Sequence, residues 1–162
     1  MFKGGGEHMQ EKIYYNGFLA VLISLGLLFL KSGFEKVSGG KFVVSLNGTL
    51  TKFASENPNG WYKQLLQSTF IPNAQILGML IMWGEIVTAV LLVVSGIILM
   101  VKPTNKMAEW TLLAGLLGGI SLNLNFYFAA GWTSPSTATT NLLMVFIEVI
   151  AIVVYSIVIF KK

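Results

Sequence analysis

Four long apolar tracts decide what this chain can fold into. The first covers residues 17–30 (GFLAVLISLGLLFL), with Ile13, Tyr14 and Tyr15 ahead of it and Lys31-Ser32-Gly33-Phe34 behind. The second runs from about 74 to 101 behind Pro72, the third from about 107 to 132, the fourth from about 141 to 160. A bilayer's hydrocarbon core is crossed by about 20 helical residues, and each tract supplies them. Charged residues make up only 11% of the 162, against about 25% in a soluble domain, so a water-facing surface cannot be covered. The expected fold is an all-α membrane protein: a four-transmembrane-helix bundle with spans at about 13–35, 74–101, 107–132 and 141–160. These form one domain over 13–162, behind a polar, glycine-containing tail (1–12) expected to be flexible. A cleaved signal peptide competes for the first tract, but no small-residue cleavage site follows it, and Lys31 and Glu35 do not suit one.

Composition removes several chemistries. With no Cys there is no disulfide, thiolate metal site, iron–sulfur cluster or cysteine nucleophile. The single His, His8, lies in the tail, which excludes haem held between two histidines inside the membrane and gives it no Cys or second His with which to bind a metal. Every cation is Lys and every acid is Glu, with a net charge of +4. The lysines flank the spans instead of forming a stripe, so nucleic acid is not an expected partner.

Lysine placement sets the expected topology. Lys3, Lys12, Lys102, Lys106, Lys161 and Lys162 lie at the termini and in the short second connection; Lys31, Lys36, Lys41, Lys52 and Lys63 lie in or beside one long loop. Short segments weigh most in the positive-inside rule, so both termini are expected in the cytoplasm. In the long loop, Val43, Leu46, Leu50 and Phe53 form one helical stripe, and Trp61, Leu65, Leu66 and Phe70 a second, with the turn Asn57-Pro58-Asn59-Gly60 between them. Two interfacial helices, at 42–54 and 61–70, would roof the bundle, with Val43, Leu46, Leu50, Trp61, Leu65 and Phe70 facing it. The alternative is an irregular connection that only touches lipid. Asn47-Gly48-Thr49 matches a glycosylation sequon, which is a weak signal by itself.

Ionisable groups inside spans are costly and mark functional sites by default. Glu85 and Glu148 therefore stand out, with Asn123 and Asn125. Counted from the roof-side ends of their helices, all four lie about 10–16 Å deep. That common depth argues for one shared pocket, with polar residues missing from the inner half of the spans. Desolvation favours the neutral acid, so Glu85 is expected to hold a proton unless a lysine reaches it. Lys31 can snorkel outward or bend toward a carboxylate; Tyr127, one turn above Asn123, can donate if it faces inward. Asn123 and Asn125 are about 200° apart on a helix, so one of them faces the interior. The competing reading makes these residues interhelical glue. Gly115, Gly118 and Gly119 favour close packing, Trp110 and Trp132 bracket the third span, and Trp83 fits core or lipid.

Taken in order, these segments resemble the DoxX family. The first span ends Gly33-Phe34-Glu35-Lys36, like the Gly-x-x-Lys that closes the family's opening span. Trp61-Tyr62, Leu65-Leu66, Ile71-Pro72-Asn73, Gly84-Glu85, Asn123-Leu124-Asn125-Phe126, Gly131-Trp132 and Asn141 resemble its DoxD branch, over about residues 15–160. The resemblance implies a four-helix bundle, a prokaryotic plasma membrane, and a subunit of a thiosulfate:quinone oxidoreductase. Lys36, Trp61, Glu85 and Asn125 are the matching positions; the family's Arg near the start is absent. The expected catalytic groups are Glu85 and Glu148. The expected quinone-binding groups are Lys31, Lys36, Trp61, Asn123, Asn125 and Tyr127, with no metal, haem or iron–sulfur cluster. Expected partners are the lipid bilayer and a second oxidoreductase subunit, with homo-oligomerisation left open. The alternative function is a non-enzymatic membrane anchor or scaffold for a soluble redox or assembly partner.

Overall fold

The computed structural model describes residues 4–160, with side chains from Met9 to Ile157; the expectations for His8, Lys3, Lys161 and Lys162 fall outside it. The described residues form six α-helices: α1 (Gly4–Gly39), α2 (Phe42–Glu56), α3 (Gly60–Leu65), α4 (Ala74–Val101), α5 (Lys106–Ala130) and α6 (Pro135–Phe160). A π-helical turn (Leu66–Phe70) extends α3, and a 3-10 turn (Gly131–Thr133) joins α5 to α6. The four long helices are each long and apolar enough to cross a membrane. The protein is a multi-pass integral membrane protein.

Local chemistry accounts for the ends. The Asn105 side chain accepts from the Ala108 backbone N–H at 3.0 Å and caps α5. Ser134 accepts from the Thr137 N–H at 3.2 Å and opens α6, with Pro135 in the first helical position. The last helix therefore starts six residues before the expected 141. α1 starts at Gly4, so residues 4–12, expected as a tail, extend the first helix.

A membrane gives helices little hydrophobic reason to associate, so close packing holds the bundle together. Leu19, Leu22, Leu92, Leu99, Leu112 and Leu116 are fully buried along its axis. Glycines set the α1–α4 seam: a Cβ on Gly26 would lie 2.8 Å from Val93 Cγ2 and 3.2 Å from the Ala89 carbonyl oxygen. A Cβ on Gly96 would lie 2.6 Å from Ile23 Cγ1. Lipid-facing positions carry Val, Ile and Leu, as along Val87, Val90, Val94 and Ile97.

The long loop is the expected roof. α2 and α3 cover one end of the bundle, and their second core joins Leu46, Leu50, Ala54, Tyr62 and Leu66 to Ala74 and Ala129. α2 rests so closely on α4 that a Cβ on Gly78 would lie 3.1 Å from Val43 Cα. Gly40, at φ +64°, makes the turn into α2. Asn57 pins the turn between the roof helices: its Nδ2 donates to the Phe128 carbonyl at 2.9 Å, and its Oδ1 accepts from the Asn59 N–H at 2.9 Å. One facing residue is corrected. Trp61 is 60% exposed, and Tyr62, at 3%, is the residue turned inward.

The seam gives a paired prediction. Gly26→Val should destabilise the bundle by about 1–3 kcal/mol through overpacking. Gly48→Ala, on α2 with nothing within 4 Å of the new Cβ, should be neutral or stabilising by up to about 1 kcal/mol. Reversible unfolding in mixed micelles measures both.

Candidate functional site

α1 and α4 build the charged part of the site. Ser32 and Lys36 are four residues apart and so share the face of α1 turned to α4. Gly33, between them, lets α4 close in: a Cβ there would lie 2.8 Å from Ile86 Cγ1 and 3.3 Å from Glu85 Cβ. Glu85 is 1% exposed. Lys36 Nζ donates to its Oε1 at 2.8 Å and its Oε2 at 2.7 Å, and also to Ser32 Oγ at 2.7 Å. Ser32 Oγ donates to Glu85 Oε1 at 3.1 Å. The condition attached to Glu85 is met, because a lysine reaches it. That lysine is not Lys31, which pairs with Glu35 at 3.1 Å on the surface, with the two side chains 73% and 63% exposed. An exposed pair of this kind contributes about 0–1 kcal/mol.

Glu148 forms a second, separate pair. Asn123 Nδ2 donates to both of its oxygens at 3.2 Å, and both residues are buried. Gly119 makes room, since a Cβ there would collide with Glu148 Oε1. Asn125 points the other way, as the helical angle requires. Its Oδ1 accepts from the Tyr62 hydroxyl at 3.0 Å, and its Nδ2 donates to the Ser121 carbonyl at 2.8 Å. Burial pushes the Tyr62 hydroxyl up to about 12, so it remains a donor across the ordinary pH range.

A cavity of about 560 Å³ lies under the roof. Lys36, Ser32, Glu85 and Asn125 contribute polar groups to its wall, and Leu46, Phe53, Phe70, Ile81 and Phe126 are among its apolar lining. Leu80 of α4 and Ser121 of α5 line it while remaining exposed, which places an opening along the flank of those helices. The expected single pocket is therefore two polar sites. Lys36, Glu85 and Asn125 share the cavity, whereas Asn123 and Glu148 are not part of its lining. Trp61 packs edge-on against Phe128, with ring centroids 5.1 Å apart, and Tyr127 packs against Phe128 and the Gly131 position; neither lines the cavity.

Sequence reading missed Ser32 and Tyr62. The i, i+4 spacing of Ser32 and Lys36 was the available signal for the first. It also missed the polar groups at the opposite end of the bundle. There Glu109, 3% exposed, pairs with Lys106 at 2.8 Å, and Ser95 and Thr111 share a 2.7 Å hydrogen bond. The inner half is therefore not devoid of polar residues. Among the described residues, no three His, Asp or Glu side chains converge as a metal site would.

The two carboxylates should respond differently to amide substitution. Glu85→Gln removes the acid that Lys36 is paired with. Removing one partner of a buried ion pair costs about 3–5 kcal/mol, and the 19% exposure of Lys36 puts this case at the low end. Glu148→Gln keeps an acceptor for Asn123 and should cost less than about 1.5 kcal/mol. Equal losses in micelle unfolding would contradict the assignment of an ion pair to Glu85 and an amide hydrogen-bonded pair to Glu148.

Comparison of the chain with family models, with curated proteins and with solved structures returns no match.

Proposed function

We propose that this protein is a DoxX-family, DoxD-like membrane subunit of a quinone-linked oxidoreductase, in which the cavity under the roof receives a lipid-soluble quinone. The observation that carries this reading is a cavity beneath the roof, walled largely by apolar residues, with one Lys36–Ser32–Glu85 cluster on its side. Three of the four positions taken from the resemblance, Lys36, Glu85 and Asn125, meet there. The fit is physical. Ligand cavities typically span about 300–1,000 Å³ and are mostly apolar with a few placed polar groups. An opening beside Leu80 and Ser121 suits a ligand arriving from lipid.

The chain's own residues supply binding and proton handling. Aromatic and aliphatic walls hold the ring and tail, and the second N–H of Asn125 Nδ2 is available to a carbonyl oxygen. Lys36 and Glu85, sharing protons with Ser32, are the proton-exchanging groups nearest the cavity. A bound quinone would supply two-electron acceptance with uptake of two protons. With no Cys and one His, the chain has no thiolate or two-histidine haem site to store electrons, so a partner subunit delivers them; thiosulfate is the donor the resemblance implies. The lysine bias supports a roof on the outer face with both termini cytoplasmic, and the family resemblance implies a prokaryotic plasma membrane.

Lipid extraction of protein purified in mild detergent tests the reading. Quinone should co-purify at close to one per chain. Ser121→Phe, which fills the rim, should remove it, and Glu85→Gln should reduce quinone-linked turnover by about 100-fold or more. Protein without quinone, holding a partner that Ser121→Phe leaves bound, would favour the scaffold reading and overturn this one.

A further inference from the structure

The charges around the cavity cancel, and this determines what it accepts. Among the described residues that line it, Lys36 and Glu85 are the only Lys or Glu. An ammonium has three N–H donors, and Lys36 has three acceptors within reach: Ser32 Oγ and both Glu85 oxygens. The rings of Phe42 and Phe126 flank the same nitrogen, with centroids at 5.3 Å and 5.8 Å. Its charge is thus matched, its donors are used, and its approaches are partly covered by aromatic carbon. The remaining donors are neutral. Asn125 Nδ2 donates one hydrogen bond, to the Ser121 carbonyl, and Asn141 Nδ2 donates one, to the Thr137 carbonyl at 2.8 Å. Each amide keeps a second N–H.

Resting on the ligand-cavity reading above, we infer that the cavity selects an uncharged amphipathic molecule and rejects small oxyanions. An anion would lose its hydration against apolar walls and find no free cation. A neutral carbonyl or hydroxyl needs one or two hydrogen bonds, which the asparagine amides provide, and its apolar body replaces nothing better than lipid or disordered water. Any oxyanion that the complex oxidises is therefore bound outside this cavity, at a surface contributed with or by a partner. The selectivity is a property of the ion pair: Glu85 neutralises the one cation that would otherwise attract anions.

Equilibrium binding to the purified full chain in nanodiscs tests this, with a tritiated short-chain benzoquinone as the neutral probe and radiolabelled thiosulfate and sulfate as anionic probes. The wild-type protein should bind the benzoquinone saturably and competably, and should bind neither anion up to millimolar concentration. Glu85→Gln, which unmasks Lys36, should gain anion binding at least tenfold over the wild type, and this gain should vanish in Lys36→Gln/Glu85→Gln. Saturable anion binding to the wild type that the benzoquinone displaces would overturn the selectivity and leave a ligand cavity in place. Binding of neither probe class to the wild type would overturn the cavity reading itself, and this inference with it. The wild-type measurements are decisive even if Glu85→Gln fails to fold.

Discussion

The Lys36–Glu85 ion pair joins α1 to α4 at the depth where the cavity begins, and most of the roof-side half is arranged around it. Two charges in so buried a position are stable only together, because each alone would face the desolvation penalty without compensation. Gly33 brings the helices near enough for the pair to close, and Ser32 satisfies the geometry left over. The same contact fixes the register of α1 against α4, the most extensive helix pairing in the bundle. The cavity thus inherits its shape from an electrostatic constraint, while lipid-facing helix surfaces contribute only length and hydropathy.

The roof completes the enclosure from the other side. Asn57 and Tyr62 reach across to α5, one to backbone carbonyls at its end and one to Asn125. These bonds matter because the roof core is small, and hydrogen bonds specify its position where apolar contact alone would let it slide. Glu148 and Asn123 serve a different purpose. Their pairing ties α5 to α6 within the core, in the manner of the interhelical glue that competed with a functional site for all the buried polar residues.

Much of this was legible in the sequence. Span positions follow from hydropathy and length, and the opposed directions of Asn123 and Asn125 follow from 100° per residue. Depth counting placed Glu85 and Glu148 at similar levels but carried no azimuth, so it merged two pairs into one pocket. The Trp61 assignment failed for a related reason: in a helix of six residues, Trp61–Leu65 and Tyr62–Leu66 are equally good apolar stripes. The hydrogen bond to Asn125 selects the second. The α6 start was hidden in Ser134-Pro135, a capping signal read as loop. Glu109, Ser95 and Thr111 escaped notice because single hydroxyls hardly alter hydropathy and Glu109 sits in the first turn of its helix.

A double-mutant cycle between Lys36 and Glu85 tests the central claim most directly. Lys36→Met, Glu85→Leu and the double variant would be compared with the wild type in reversible mixed-micelle unfolding. If the pair anchors α1 to α4, each single variant should lose about 3 kcal/mol and the double variant should recover most of that loss, giving a coupling of about 2 kcal/mol or more. Losses that simply add, with coupling within about 0.5 kcal/mol of zero, would show that the two side chains do not act on each other and would contradict the account.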